Sequence, residues 1–74
     1  MRSLHAISRD IKSDWKNINY AAKPYLDALS QLDSINDNYY FDSAKSIVSY
    51  FLANAKAWKG EKARSIKLEL KSMM

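Results

Sequence analysis

Few side chains in this chain of 74 residues have chemical reach, and their spacing decides what they can do. His5 is the single histidine and there is no cysteine. A zinc site takes three or four His, Cys or carboxylate ligands, so this inventory does not assemble one. Carboxylates and amides are densest in the run LDSINDNYYFDS, Leu32 to Ser43, which has the composition of a calcium loop. An EF-hand, however, needs oxygen ligands at alternate positions, Gly at the sixth and Glu at the twelfth. Counted from Asp33, the third, sixth and twelfth positions hold Ile35, Asn38 and Ala44, and the calcium reading fails. Asp33 and Asp37 are spaced to share a face, yet acid–base catalysis also wants an enclosing pocket, for which a domain this small has little room. No Ser lies in a nucleophile elbow, and a single glycine, Gly60, excludes a Gly-rich phosphate loop. These residues predict a protein that is not an enzyme and takes no metal or cofactor.

What remains is non-covalent recognition. Arg2, His5, Arg9, Lys12 and Lys16 recur in one helical register near the amino terminus, and Arg64, Lys67 and Lys71 form a second basic stripe. Such stripes either face water, the ordinary place for charge, or meet phosphates. No helix-turn-helix or base-reading pattern accompanies them, so a nucleic-acid contact here is expected to be largely nonspecific. Tyr39, Tyr40 and Phe41 are three adjacent aromatics among polar residues. One or two of them are expected to close the end of the core as a hydrophobic staple does, and an exposed remainder has the composition of a protein-binding hot spot. Asp37, Tyr39, Tyr40 and Lys45 are the candidate protein-contacting set. The net charge is +4, with basic ends around a middle that holds Asp27, Asp33, Asp37 and Asp42, a distribution compatible with an asymmetric partner or with a homo-oligomer.

The elements that must position these residues follow from periodicity. Ala44, Ile47, Val48, Phe51, Ala55 and Trp58 fall at i, i+3, i+4, i+7, i+11 and i+14, which predicts a central helix over about residues 42–58, capped by Asp42 or Ser43 and ended by Gly60. A helix this apolar needs neighbours to cover it. Leu4, Ile7, Ile11 and Trp15 predict a first helix capped by Ser3. Tyr25, Ala28, Leu29 and Leu32 predict a shorter second helix that begins between Tyr20 and Pro24. Ala63, Ile66, Leu70 and Met73 predict a last helix from Glu61. The expected fold is a single all-α domain, residues 1–74, a small bundle of three to four helices around the central one. A charged amino terminus without a signal-type apolar run, and no apolar run of membrane-spanning length, predict a cytoplasmic protein with no membrane partner.

The second half of the chain carries a resemblance. Leu32-Asp33-Ser34-Ile35-Asn36-Asp37, Lys45-Ser46-Ile47-Val48, Tyr50-Phe51-Leu52, Trp58-Lys59-Gly60-Glu61 and Glu69-Leu70-Lys71 resemble a family of small proteins encoded by tailed bacteriophages and prophages. The likeness extends more weakly through Ala22, Pro24, Tyr25 and Leu26 and the first helix, and no enzymatic motif comes with it. It implies the cytoplasm of an infected bacterium and a phage accessory role. The function expected on these grounds is binding and modulation or inhibition of a host or phage protein, including an anti-defence target of the anti-CRISPR kind. The basic balance argues against imitation of DNA by an acidic surface. The alternative is a basic helical protein that uses Arg2, Arg9, Lys12 and Lys16, or Arg64, Lys67 and Lys71, against nucleic-acid phosphates.

Overall fold

Ser3 opens the first helix in extended geometry, and its hydroxyl accepts from the Ala6 amide at 3.1 Å, which occupies one of the amides a helix start leaves free. In a computed structural model that describes residues 2–74, this helix is α1 (Leu4–Asp14). It buries Leu4, Ile7 and Ile11 along one stripe, and Trp15, just past its end, continues the stripe into the core. The Leu4 amide bonds the Asp33 carbonyl at 2.9 Å, tying the start of α1 to the loop that leaves the second helix. Pro24 sits in the first turn of α2 (Lys23–Leu29), where its missing amide has no intrahelical bond to lose. Leu26, Ala28 and Leu29 of α2 are buried, while Tyr25 is half-buried against Tyr50 with ring centroids 5.4 Å apart. After the loop come β1 (Asn38–Tyr39), β2 (Asp42–Ser43), α3 (Ala44–Ala53) and α4 (Glu61–Met73). Helix α2 packs chiefly on α3, and α1 bridges α2 and α4.

Two expectations are corrected. The chain is mostly helical but not purely so: Asn38 pairs with Ser43 and Tyr39 with Asp42 in an antiparallel ribbon. The central helix is also shorter than residues 42–58. Its cap is Ser43, whose hydroxyl accepts from the Ser46 amide, and Asp42 belongs to the ribbon. It ends at Ala53 because Asn54 adopts φ −104° and ψ 9° and turns its own side chain back, Nδ2 donating to the Tyr50 carbonyl at 2.9 Å. Asn competes for backbone partners in this way and so ends helices that a hydrophobic pattern would continue. Turns through Ala55 and Trp58 follow, and both side chains remain buried as their spacing predicts. Gly60 does not end the central helix. At φ 114° it is the residue before α4, a backbone state that side-chain-bearing residues rarely adopt.

The core is organised by three aromatic rings from three parts of the chain. Trp58 stacks on Trp15 (5.8 Å between centroids, 11° between planes), and Phe51 makes T-shaped contacts with both rings at 6.3 and 6.5 Å. The Trp58 indole N–H donates to Asp14 at 2.8 Å, so the one polar atom of that ring is satisfied as it is buried. Phe51 is fully enclosed. Replacing Phe51 by Ala removes a large side chain from the contact shared by both tryptophans, and an unfolding titration of that variant is expected to show a loss of about 3–5 kcal/mol; a variant as stable as the parent would place the centre of the core elsewhere.

Candidate functional site

The ribbon is built outward from a set of backbone clamps. The Asp37 carboxylate accepts from the amides of Ser34 at 3.0 Å and Asp33 at 3.1 Å, and Ser34 Oγ accepts from the Asn36 amide, which closes the loop after α2. The Ser34 and Asp33 amides hold the Asp37 carboxyl below the usual carboxylate range. The Asp37 carbonyl accepts the Ala44 amide at 2.8 Å, so the same residue fixes the ribbon to the start of α3. Asp37, expected as a partner-contacting residue, has its charged group committed to the fold.

Between the paired strands only Tyr40 and Phe41 remain, and they form a two-residue turn. Tight hairpin turns need a positive φ at their first central position and normally place Gly, Asn or Asp there. Here that position is Tyr40, at φ 57°, the sole non-glycine residue with positive φ among the described residues. The left-handed state costs a side-chain-bearing residue about 1–2 kcal/mol. The turn also carries both rings into solvent: Tyr40 is 82% exposed and Phe41 105%. Tyr39 turns the other way. It is half-buried against the core, and the edge of one ring meets the face of the other at the Tyr39–Tyr40 contact, 4.8 Å between centroids. One aromatic of the three thus closes the core and two project from it. Lys45, in the first turn of α3, is exposed beside them.

Phe41, the most exposed of the large hydrophobic residues, was not in the expected contacting set. Three consecutive aromatics carry no periodicity that says which ring faces out, and YF lacks the Asn-Gly or Gly-X signal that reveals a two-residue hairpin.

The basic candidates divide. Arg2 is held by Asp10 and by both oxygens of Glu69, with Nε at 3.0 Å and Nη2 at 2.6 Å from Glu69. Its hydrogen bonds hold the Glu69 and Asp10 carboxyls low, so Arg2 staples α1 to α4. Lys12 lies 3.6 Å from Asp27, and His5 Nδ1 donates to the Ser30 carbonyl at 2.6 Å. Arg9 stands apart, on a shallow groove with His5 and Ser13. The amino-terminal stripe is therefore broken by local partners. Arg64, Lys67 and Lys71 do share one edge of α4, and Lys16 reaches a neighbouring groove beside Lys59.

Among the described residues no three His, Cys, Asp or Glu side chains gather as a metal-binding group, and no helix is long and apolar enough to cross a membrane. No protein-family model, curated protein or solved structure matches the chain.

The strained turn makes a specific prediction. Tyr40→Gly removes the penalty of a positive φ, adds chain entropy and loses the ring contact with Tyr39, so these opposing effects should leave the variant within about 1 kcal/mol of the parent in urea melts. A clear loss of stability would mean that Tyr40 supports the fold rather than being carried by it.

Proposed function

We propose that this chain is a non-enzymatic binding protein that inserts the Tyr40–Phe41 tip of its hairpin into an apolar pocket of another protein and thereby modulates or inhibits it. The observation that carries this reading is a fully exposed Phe41 beside a Tyr40 held at positive φ. Leaving a Phe side chain in water forgoes about 1.5–3 kcal/mol of burial, and a left-handed Tyr adds a further cost. Against these costs the fold recovers the Tyr39–Tyr40 ring contact, worth about 0.5–1.5 kcal/mol. An interface gains from both features, because a rigid aromatic knob loses little conformational entropy when it docks. The flanking Asp42 and Lys45 are exposed and supply a mixed-charge rim, which fits a pocket with polar edges.

The resemblance to small proteins of tailed phages supplies the setting: a mostly helical domain bearing one hairpin, working in the cytoplasm of an infected bacterium as an accessory protein. Its target is then a host or phage protein, with a component of host defence the foremost class.

A photo-crosslinking amino acid in place of Phe41, compared with the same group in place of Tyr20, tests this in infected-cell extract. Tyr20 is an equally suitable control because it is 91% exposed but lies in the loop before α2. Position 41 should give one discrete protein adduct that unlabelled parent protein competes away and that a Phe41→Ala competitor displaces at least about tenfold less well, as expected for a hot-spot side chain. Identical adduct patterns from positions 41 and 20 would show that the tip has no dedicated partner.

A further inference from the structure

The two exposed flanks of helix α4 differ in charge. At 3.6 residues per turn, Ala63, Ile66, Leu70 and Met73 occupy the buried face, and Glu61, Lys62, Ser65 and Glu69 fall on one flank of mixed charge, where Glu69 binds Arg2. Arg64, Lys67 and Lys71 lie within about 60° of one another on the opposite flank. That flank lines an open groove completed by Trp58, Lys59, Gly60, Ala63 and Leu68, with no carboxylate among its walls. Trp58 and Lys59 also line the adjoining groove, which contains Lys16, Asn17 and Asp14. The one acid there, Asp14, accepts the Trp58 indole N–H. Lys16, just beyond α1, and Lys59, in the turn before α4, thus join the α4 stripe in one basic surface.

The cations of this surface lack carboxylate partners: no ion pair involves Lys16, Lys59, Arg64, Lys67 or Lys71 among the described residues. Lys67 Nζ donates to the Trp58 carbonyl at 2.6 Å and sits 5.8 Å from the centre of the Trp58 ring, which fixes one ammonium over the groove floor. Burial pushes the Lys67 amine down, and Lys71 and Lys59 push it further in the same direction, the signature of like charges crowded without a counter-ion. An anion in the groove relieves that crowding.

We infer that this surface binds the phosphate backbone of duplex nucleic acid without reading its sequence. The charge is spread along an edge rather than focused on a point, and a helix edge about 10 Å long, from Arg64 to Lys71, spans several phosphates of a duplex, which carries one charge per about 1.7 Å of axis. The Trp58 ring is buried and cannot stack on a base, which argues against a single-strand platform. Leu68 is the one large exposed apolar residue on the groove, too little to insert into a lipid surface. The assignment is independent of the aromatic hairpin, which lies at the other end of α3 from Trp58 and Lys59.

The test is a salt series of binding to a labelled duplex DNA of random sequence, with the matching single strand and anionic phospholipid vesicles as comparisons. With all five cations engaged, log Kd should rise with log salt with a slope of about 4 to 5. Arg64→Ala with Lys71→Ala should weaken binding and cut the slope by about 2, and neither side chain has a hydrogen-bond partner among the described residues, so the variant should melt with the parent. Arg9→Ala and Phe41→Ala should leave the slope unchanged. No duplex binding at low salt, tighter binding to the single strand or to vesicles, or an equal effect of Arg9→Ala would overturn the assignment.

Discussion

The stack of Trp58 on Trp15, with Phe51 in T-shaped contact with both, is the contact on which the rest of this small fold depends. It joins the end of α1 to the last turn of α3 and the turn before α4, which lie far from α1 in the chain. A domain of 74 residues has little apolar surface to spare, and large rings supply more of it per residue than any other side chain. Because Trp58 is fixed there, the chain beyond it leaves at a defined angle, Gly60 takes the φ of 114° that α4 requires, and the basic flank of α4 is set beside Lys59. At the opposite end of α3, the Asp37 clamps fix the ribbon to Ala44. One core thus holds two different surfaces apart, an aromatic tip and a cationic groove.

The helices and most of the core were legible in the sequence because apolar spacing of 3.6 residues is a strong, redundant signal. Ser3 as first cap, Glu61 as the start of the last helix, and Ile47, Phe51, Ile66 and Leu70 as core all follow from it. Of the stripe predicted for the second helix, Ala28, Leu29 and Leu32 are buried, but in its first turn α2 buries Leu26 and leaves Tyr25 only half-buried. The end of α3 was not legible either, since the hydrophobic pattern runs on through Ala55 and Trp58 while Asn54 diverts the backbone. Periodicity reports which side chains are buried, and a pair of turns can bury the same two residues as a helix.

The candidate site was less legible, for a related reason. Hairpins of this length are recognised by residues that tolerate positive φ, and here the position is held by a tyrosine against its backbone preference. Local sequence and observed conformation disagree at Tyr40, and such disagreements concentrate at sites kept for a purpose other than stability. The basic stripes show the converse. Arg2, Lys12 and His5 look like one continuous face in sequence, yet each finds a partner within the fold, whereas Lys16 joins the α4 stripe from a distance of over forty residues. Charge patterns along a chain do not reveal which charges folding neutralises.

Docking by the Tyr40–Phe41 tip requires that the tip be ordered and exposed in the free protein. Nuclear Overhauser contacts in a solution NMR spectrum of the free chain measure this without any partner present. The account predicts cross-strand contacts between Asn38 and Ser43, a positive φ at Tyr40, and a Phe41 ring with no contacts to the core side chains of α3. A Phe41 ring in contact with the core, or a segment from Asn38 to Ser43 that averages without cross-strand contacts, would contradict it.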